Sequence, residues 1–219
     1  MFKISQASAW DENKSSVHLK NCSAIIMEFL TDLTPISVSR NYKIRDQGFP
    51  HFVTFTTVNW IDIFTRNCYK ECLIESLKYC QANKGLILYG YCFMTNHIHL
   101  IIGTKKDPMQ GIIRDFKAFT SRQIKLSIKE NASESRKNWL LWMFTNAGIR
   151  NSNNRDWQLW QQSSHPIELS SNFLQDQKLE YIHQNPVKAG FVDKSEDWIW
   201  SSARNYMGEQ GLIEVEYLS

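Results

Sequence analysis

Between Leu86 and Gly103 two apolar runs, LILYGYCFMT (86–95) and HIHLIIG (97–103), stand almost back to back. Each has the length of a strand, and the break between them falls at Thr95–Asn96, so the segment predicts an antiparallel hairpin with a tight turn. A single membrane span is excluded, because Asn96, His97 and His99 interrupt the ~18 apolar residues that a span requires. A hairpin needs further strands and an apolar cover, and the flanking sequence supplies both.

Upstream, HFVTFTTV from His51 is β-branched and aromatic with rough alternation, a strand signal. Residues 67–84 place Tyr69, Leu73, Leu77 and Cys80 on one helical face and end before Gly85. Downstream, Pro108 opens a long helix with an apolar stripe of Ile113, Phe116, Ile124 and Ile128. NWLLWMFTNAG reads as a short helix stopped by Gly148, QLWQQ as a short edge strand, and SNFLQDQKLEYIHQN as a last helix capped at Ser170 or Ser171 and ended by Pro186. The order β-α-β-β-α-(α)-β-α predicts an α+β fold of ferredoxin-like type, an antiparallel sheet with helices on one face. Residues 1–38, polar and weakly periodic, read as a loose N-terminal extension before a single domain over 39–219.

With 42% hydrophobic residues in 219, the chain has enough apolar material for a core, which excludes wholesale disorder. Its N-terminal stretch has no signal-peptide pattern, so a soluble, cytoplasmic protein without a membrane partner is expected. Five cysteines, odd in number and without paired C-x-x-C spacing, argue against a disulfide framework or a zinc ribbon and fit a reduced compartment. The net charge of +3 is small, but residues 105–137 hold nine Lys/Arg against four Asp/Glu. On the long helix Arg114, Lys117 and Lys125 recur at helical spacing with Arg122 nearby. They form either a solvated face or a row of phosphate contacts. Trp139, Trp142, Trp157 and Trp160 offer rings for stacking on unpaired bases or for a core.

Two constellations carry chemistry. His97 and His99, at i and i+2 of a strand, project from one face as a pair of imidazoles suited to a divalent metal. The same pattern also describes two half-buried histidines bonded to neighbours. Tyr181 and Asn185, at i and i+4 of the last helix, share a face with Lys178 one turn earlier. A tyrosine there also suits the edge of a core.

Taken together these segments resemble a known family. YGYCFMTNHIHLIIG resembles the strand-turn-strand of the HUH single-tyrosine transposases. KLEYIHQNPVKAGFV followed by EDWIWSSARNY resembles the C-terminal signature of their REP-associated tyrosine transposase branch. NYKIRDQGFPHFVTFTTVNW and LWQQSSHPIEL look like its opening strand and pre-tyrosine segment, so the likeness covers roughly residues 41–207. It implies a metal-dependent endonuclease and strand transferase acting on single-stranded or hairpin DNA at palindromic repeats, a bacterial transposase that is nucleoid-associated when bound to DNA. By the same resemblance His97, His99 and the Asn185 amide hold Mg2+ or Mn2+, and Tyr181 is the nucleophile that forms a 5′-phosphotyrosine. Arg114, Lys117, Arg122, Lys125 and Lys178 are the expected DNA contacts, and the protein is a monomer or homodimer. Two other readings stand beside it: a nucleic-acid-binding module without catalysis, and a metal-dependent phosphodiesterase without a covalent step.

Overall fold

β1 (His51–Thr56) is the strand on which the sheet is assembled. In the computed structural model, which describes Ile44 and residues 47–154 and 156–218, it pairs antiparallel on both edges. One edge takes β3 (His97–Thr104), with Thr54 opposite His99 and Thr56 opposite His97; the other takes β4 (Ile167–Glu168). β2 (Leu86–Phe93) closes the hairpin on the far side of β3, giving the order β2-β3-β1-β4. The sheet is therefore antiparallel throughout, as the ferredoxin-like pattern requires. The described residues fall in one compact unit spanning Val38–Ser219; the expected extension over 1–38 lies outside them.

The helices form where their periodicity places them. α1 (Asn67–Lys84) buries Tyr69, Leu73, Leu77 and Cys80, and Gly85 ends it in the left-handed conformation that glycine adopts without strain. α2 (Met109–Glu130) follows Pro108 and buries Ile112, Phe116, Ile124 and Ile128; Ile113 lies only at the margin of this stripe. α3 (Lys137–Ile149) adds Leu140 and Phe144 to the same layer. The core beneath them includes the sheet face of Val53, Phe55, Ile98, Leu100 and Ile102, which Phe116 of α2 meets at Phe55, while α3 packs against α2. Gly148 does not stop α3. It lies inside the helix where the Trp157 backbone crosses so closely that an added Cβ would sit 2.2 Å from the Trp157 nitrogen.

α4 (Asn172–Lys188) corrects the expectation of helices on one face only. Strand residues Phe52, Cys92 and Ile101 point to the opposite face, with Met94 just beyond β2, and they too are apolar. Leu174, Leu179 and Ile182 of α4 cover them in a second, smaller core. Ser171 caps this helix by accepting from the Leu174 amide at 3.4 Å. Pro186 does not end it; the helix runs two residues further, since a proline this close to the terminus removes only one backbone donor.

The edge strand expected over QLWQQ is also displaced. That segment runs beside β1 through Val58 N–H to Leu159 O and Gln161 N–H to Thr56 O, both 2.8 Å, but the ladder is interrupted until Ile167–Glu168. Pro166 has no amide hydrogen to continue it.

Gly90 sets how near α4 comes to the sheet. A Cβ there would lie 3.0 Å from both Leu179 Cδ1 and Ile182 Cδ1. Gly90→Val is expected to overpack this seam and cost ~1–3 kcal/mol, read as a lower urea midpoint. Gly111→Ala, whose Cβ meets nothing within 4 Å, should be neutral or slightly stabilising. Equal stability of the two variants would show that α4 is not seated by this contact.

Candidate active site

The second face of the sheet gathers the two sequence constellations. β3 presents His97 and His99 side by side, with ring centroids 4.7 Å apart. α4 lays Tyr181 across them, its ring 5.4 Å from His99 and edge-on to Phe52 at 5.9 Å. Phe52, from the neighbouring strand, stacks on His99 at 5.4 Å. His99 is thus buried, 4% exposed, and His97 half-buried, whereas Tyr181 remains 42% exposed beside them. The face is a partly covered shelf, in contrast to the open sheet surface that strand alternation alone suggests.

Hydrogen bonds orient both imidazoles. His97 Nδ1 lies 2.6 Å from Asn96 Oδ1, an atom that only accepts, so Nδ1 carries the proton and Nε2 keeps its lone pair. His99 Nδ1 is 2.8 Å from Thr54 Oγ1, and its buried Nε2 has no partner among the described residues. An orphaned buried nitrogen beside a second imidazole with a free lone pair is a donor set that fits a divalent cation. No three His, Cys, Asp or Glu side chains converge as a metal-holding group among the described residues. Further ligands would therefore come from other donors. Asn185, one turn beyond Tyr181, donates its Nδ2 to the Tyr181 carbonyl at 3.0 Å.

Lys178 completes the site, its Nζ 5.1 Å from the Phe52 ring and 5.5 Å from that of Tyr181. With Gln177, Glu180, Tyr181, Gln184 and Lys188 it lines an open concavity. Burial, then His97 and the Lys178 charge, holds His99 down to about 3; burial also lowers His97, and takes His183 down to about 4. His183 faces away from the shelf, its Nε2 2.9 Å from Ser202 Oγ.

These depressed values have a consequence for stability. In the unfolded chain each histidine returns to ~6.5, so between that value and the folded one the unfolded state binds more protons. The stabilisation is complete above pH ~6.5 and declines as pH falls toward 4, at ~1.4 kcal/mol per pH unit for each of His99 and His183. Urea midpoints at pH 7, 6 and 5 should decrease in that order. A midpoint constant to pH 5 would mean that these rings reach water in the folded protein.

The expected basic row does not join the site. α2 packs on the other face of the sheet, and three of its cations are engaged there. Lys117 Nζ donates to the Gln161 and Gln162 carbonyls at 2.7 and 3.2 Å, and burial lowers it to about 8. Lys125 pairs with Asp156 at 3.1 Å, and Arg114 with Asp115 at 2.9 Å. Arg122 is exposed on the same helix. Helical spacing placed these residues opposite the apolar stripe, but the stripe itself faces away from the histidines. Of the tryptophans, Trp157 and Trp160 are buried and bond to Ser121 and Thr120, while Trp139 and Trp142 are exposed on α3 in the distant layer. Sequence reading missed Phe52, Thr54, Asn96 and Trp60. The first two share the β1 face opposite His99, and the register of β1 against β3 was the signal that could have found them.

Comparison with known proteins bears on this arrangement. Residues 49–146 match the family model described as "Transposase IS200 like", a stretch that holds both histidines and ends before Tyr181. The fold of the chain is similar to that of a solved REP-associated tyrosine transposase bound to a REP hairpin, at 17% identity and a TM-score of 0.54, covering 84% of this chain and 95% of the other. A putative transposase from Deinococcus radiodurans R1 is 14% identical over 68% of this chain and 96% of its own, with a TM-score of 0.39. No curated protein matches the chain. Among the described residues no helix of the chain is long and apolar enough to cross a membrane.

Proposed function

We propose that this protein is a transposase, a metal-dependent endonuclease and strand transferase for single-stranded DNA folded into hairpins, with Tyr181 as its nucleophile. The observation that carries the reading is the placement of the Tyr181 ring 5.4 Å from His99, on the shelf where His97 Nε2 keeps an unshared pair and the buried His99 Nε2 has no partner among the described residues. A phenol is a weak nucleophile at neutral pH, so a tyrosine that attacks phosphate needs such surroundings.

His97 and His99 would hold Mg2+ or Mn2+ through Nε2, with the Asn185 amide oxygen as the third protein donor. Bound there, the ion supplies charge stabilisation for a phosphate undergoing displacement. The chain's own residues do the rest. Asn96 and Thr54 keep the imidazoles fixed through Nδ1. Lys178 offers a cation to a phosphate oxygen next to Tyr181. Tyr181 Oη gives its proton to solvent and forms a bond to phosphorus as the bond to the 3′ oxygen breaks, and the leaving 3′ oxygen takes a proton from solvent. The products are a 5′-phosphotyrosine and a free 3′-hydroxyl. Because the ester is conserved, a second 3′-hydroxyl can displace Tyr181 and rejoin strands without ATP.

The hairpin-bound transposase of similar fold supports hairpin DNA as the substrate class. The direct test mixes the protein with Mg2+ or Mn2+ and hairpin oligonucleotides labelled on the 3′ side of each candidate break. A protein–DNA adduct that survives a denaturing gel is the expected product. Cleavage without an adduct would identify water as the nucleophile.

A further inference from the structure

We propose that Trp60 is a stacking platform for one unpaired nucleobase next to the reacting phosphate. Its ring is 60% exposed, yet it stands 6.1 Å from the His97 ring, at the rim of the shelf. Trp60 belongs to neither core. Its neighbours Val58 and Ile61 are buried and anchor the loop, while the ring itself is left in solvent.

The backbone holds the ring there against its local preference. Asn59 and Trp60 both have φ of +54°, a left-handed conformation that a bulky L-residue rarely adopts. Neighbouring contacts fix it. Thr57 Oγ1 donates to the carbonyls of Ile61 and Asn96 at 2.8 and 3.0 Å, and the Asn96 amide nitrogen donates to the Trp60 carbonyl at 3.4 Å. Asn96 is the same residue whose oxygen accepts from His97 Nδ1. One side chain therefore ties the loop of the exposed indole to the ring proposed to hold the metal. An aromatic ring fixed in water beside such a centre presents a π-face that only an unstacked base can cover, since bases in a duplex already stack on one another. This supplies a reason for single-strand preference that depends on the reading above only for the identity of the nearby chemistry.

Binding, not cleavage, is the appropriate readout, and the Tyr181→Phe protein should be the background so that no adduct forms. The probes are a 20-nucleotide oligodeoxythymidine strand and a blunt duplex of the same length. Trp60→Asn removes the ring while keeping a residue that tolerates the left-handed backbone. It should weaken single-strand binding by about 5- to 150-fold, the range for loss of one base–aromatic stack, with duplex binding changed less than twofold. Trp60→Phe should retain most of the affinity. A single 2-aminopurine in the strand, moved position by position, should be quenched at one site by the Trp60 protein and not by Trp60→Asn. Single-strand affinity unchanged in Trp60→Asn, or an equal loss on duplex, would overturn the proposal. The two readings fail separately. Normal adduct formation by a Trp60→Asn protein that keeps Tyr181, with binding unaltered, removes the platform alone; selective loss of single-strand binding on Trp60→Asn, with no adduct formed by the protein that keeps both Trp60 and Tyr181, removes the tyrosine chemistry alone.

Discussion

Tyr181→Phe should abolish cleavage and adduct formation together, a loss on the order of a millionfold, the scale reached when a covalent nucleophile is deleted. The substitution removes one oxygen and keeps the ring that meets Phe52 and His99 at centroid distances of 5.9 and 5.4 Å. Among the described residues no hydrogen bond ties Tyr181 Oη to the fold, so folding stability and hairpin binding should change little. No nearby group replaces it. His183, two positions on, faces Ser202 on the buried side of the helix. The measurement is a denaturing gel with substrate labelled on the 3′ side of the break, since the tyrosine would retain the 5′ phosphate. A labelled adduct in the phenylalanine variant would move the nucleophile to another residue. Wild-type cleavage with no adduct would favour direct hydrolysis.

The parts of this site differ in how legible they were. The His97/His99 pair and the Tyr181/Asn185 pair each follow from the repeat of one element, two residues in a strand and four in a helix. The hairpin was legible because its strands are long, apolar and nearly contiguous. What joins the two pairs is tertiary. Whether α4 covers the histidine face or the opposite one depends on Phe52, Cys92, Met94 and Ile101 forming a second apolar patch, and on Gly90 admitting the helix. The strand pattern contained that patch, but a single-face expectation hid it. β4 was illegible for a simpler reason: two exposed residues have no periodicity, and their pairing is dictated by β1. The basic row on α2 was legible as a charged face, but charge spacing does not reveal the partners within the fold. Asp156 and the Gln161 and Gln162 carbonyls meet Lys125 and Lys117 only after the chain has folded.

The imidazoles should be as indispensable as the phenol, but for a different reason that a second measurement can separate. In His97→Ala, one donor and the Asn96-fixed ring are lost from a half-buried position, so the fold should survive. In His99→Ala the loss includes the stack on Phe52 and a buried volume under Tyr181, so some stability should go with it. For that reason His97→Ala is the cleaner variant, and His99→Ala the confirming one. Each should lower metal-dependent cleavage by at least ~10²–10³-fold, the scale for removing one electrostatic stabiliser of a transition state. Manganese binding followed by calorimetry should weaken in both and remain intact in Tyr181→Phe. Wild type treated with EDTA should be inactive and recover with Mg2+ or Mn2+. That pairing is decisive because the two kinds of variant fail differently: the tyrosine variant binds the ion and cannot form the ester, whereas the histidine variants keep the hydroxyl and lose the ion. Undiminished cleavage by the His97→Ala, His99→Ala double variant in EDTA would refute the metal assignment and leave Tyr181 to be activated by Lys178 or by the substrate itself.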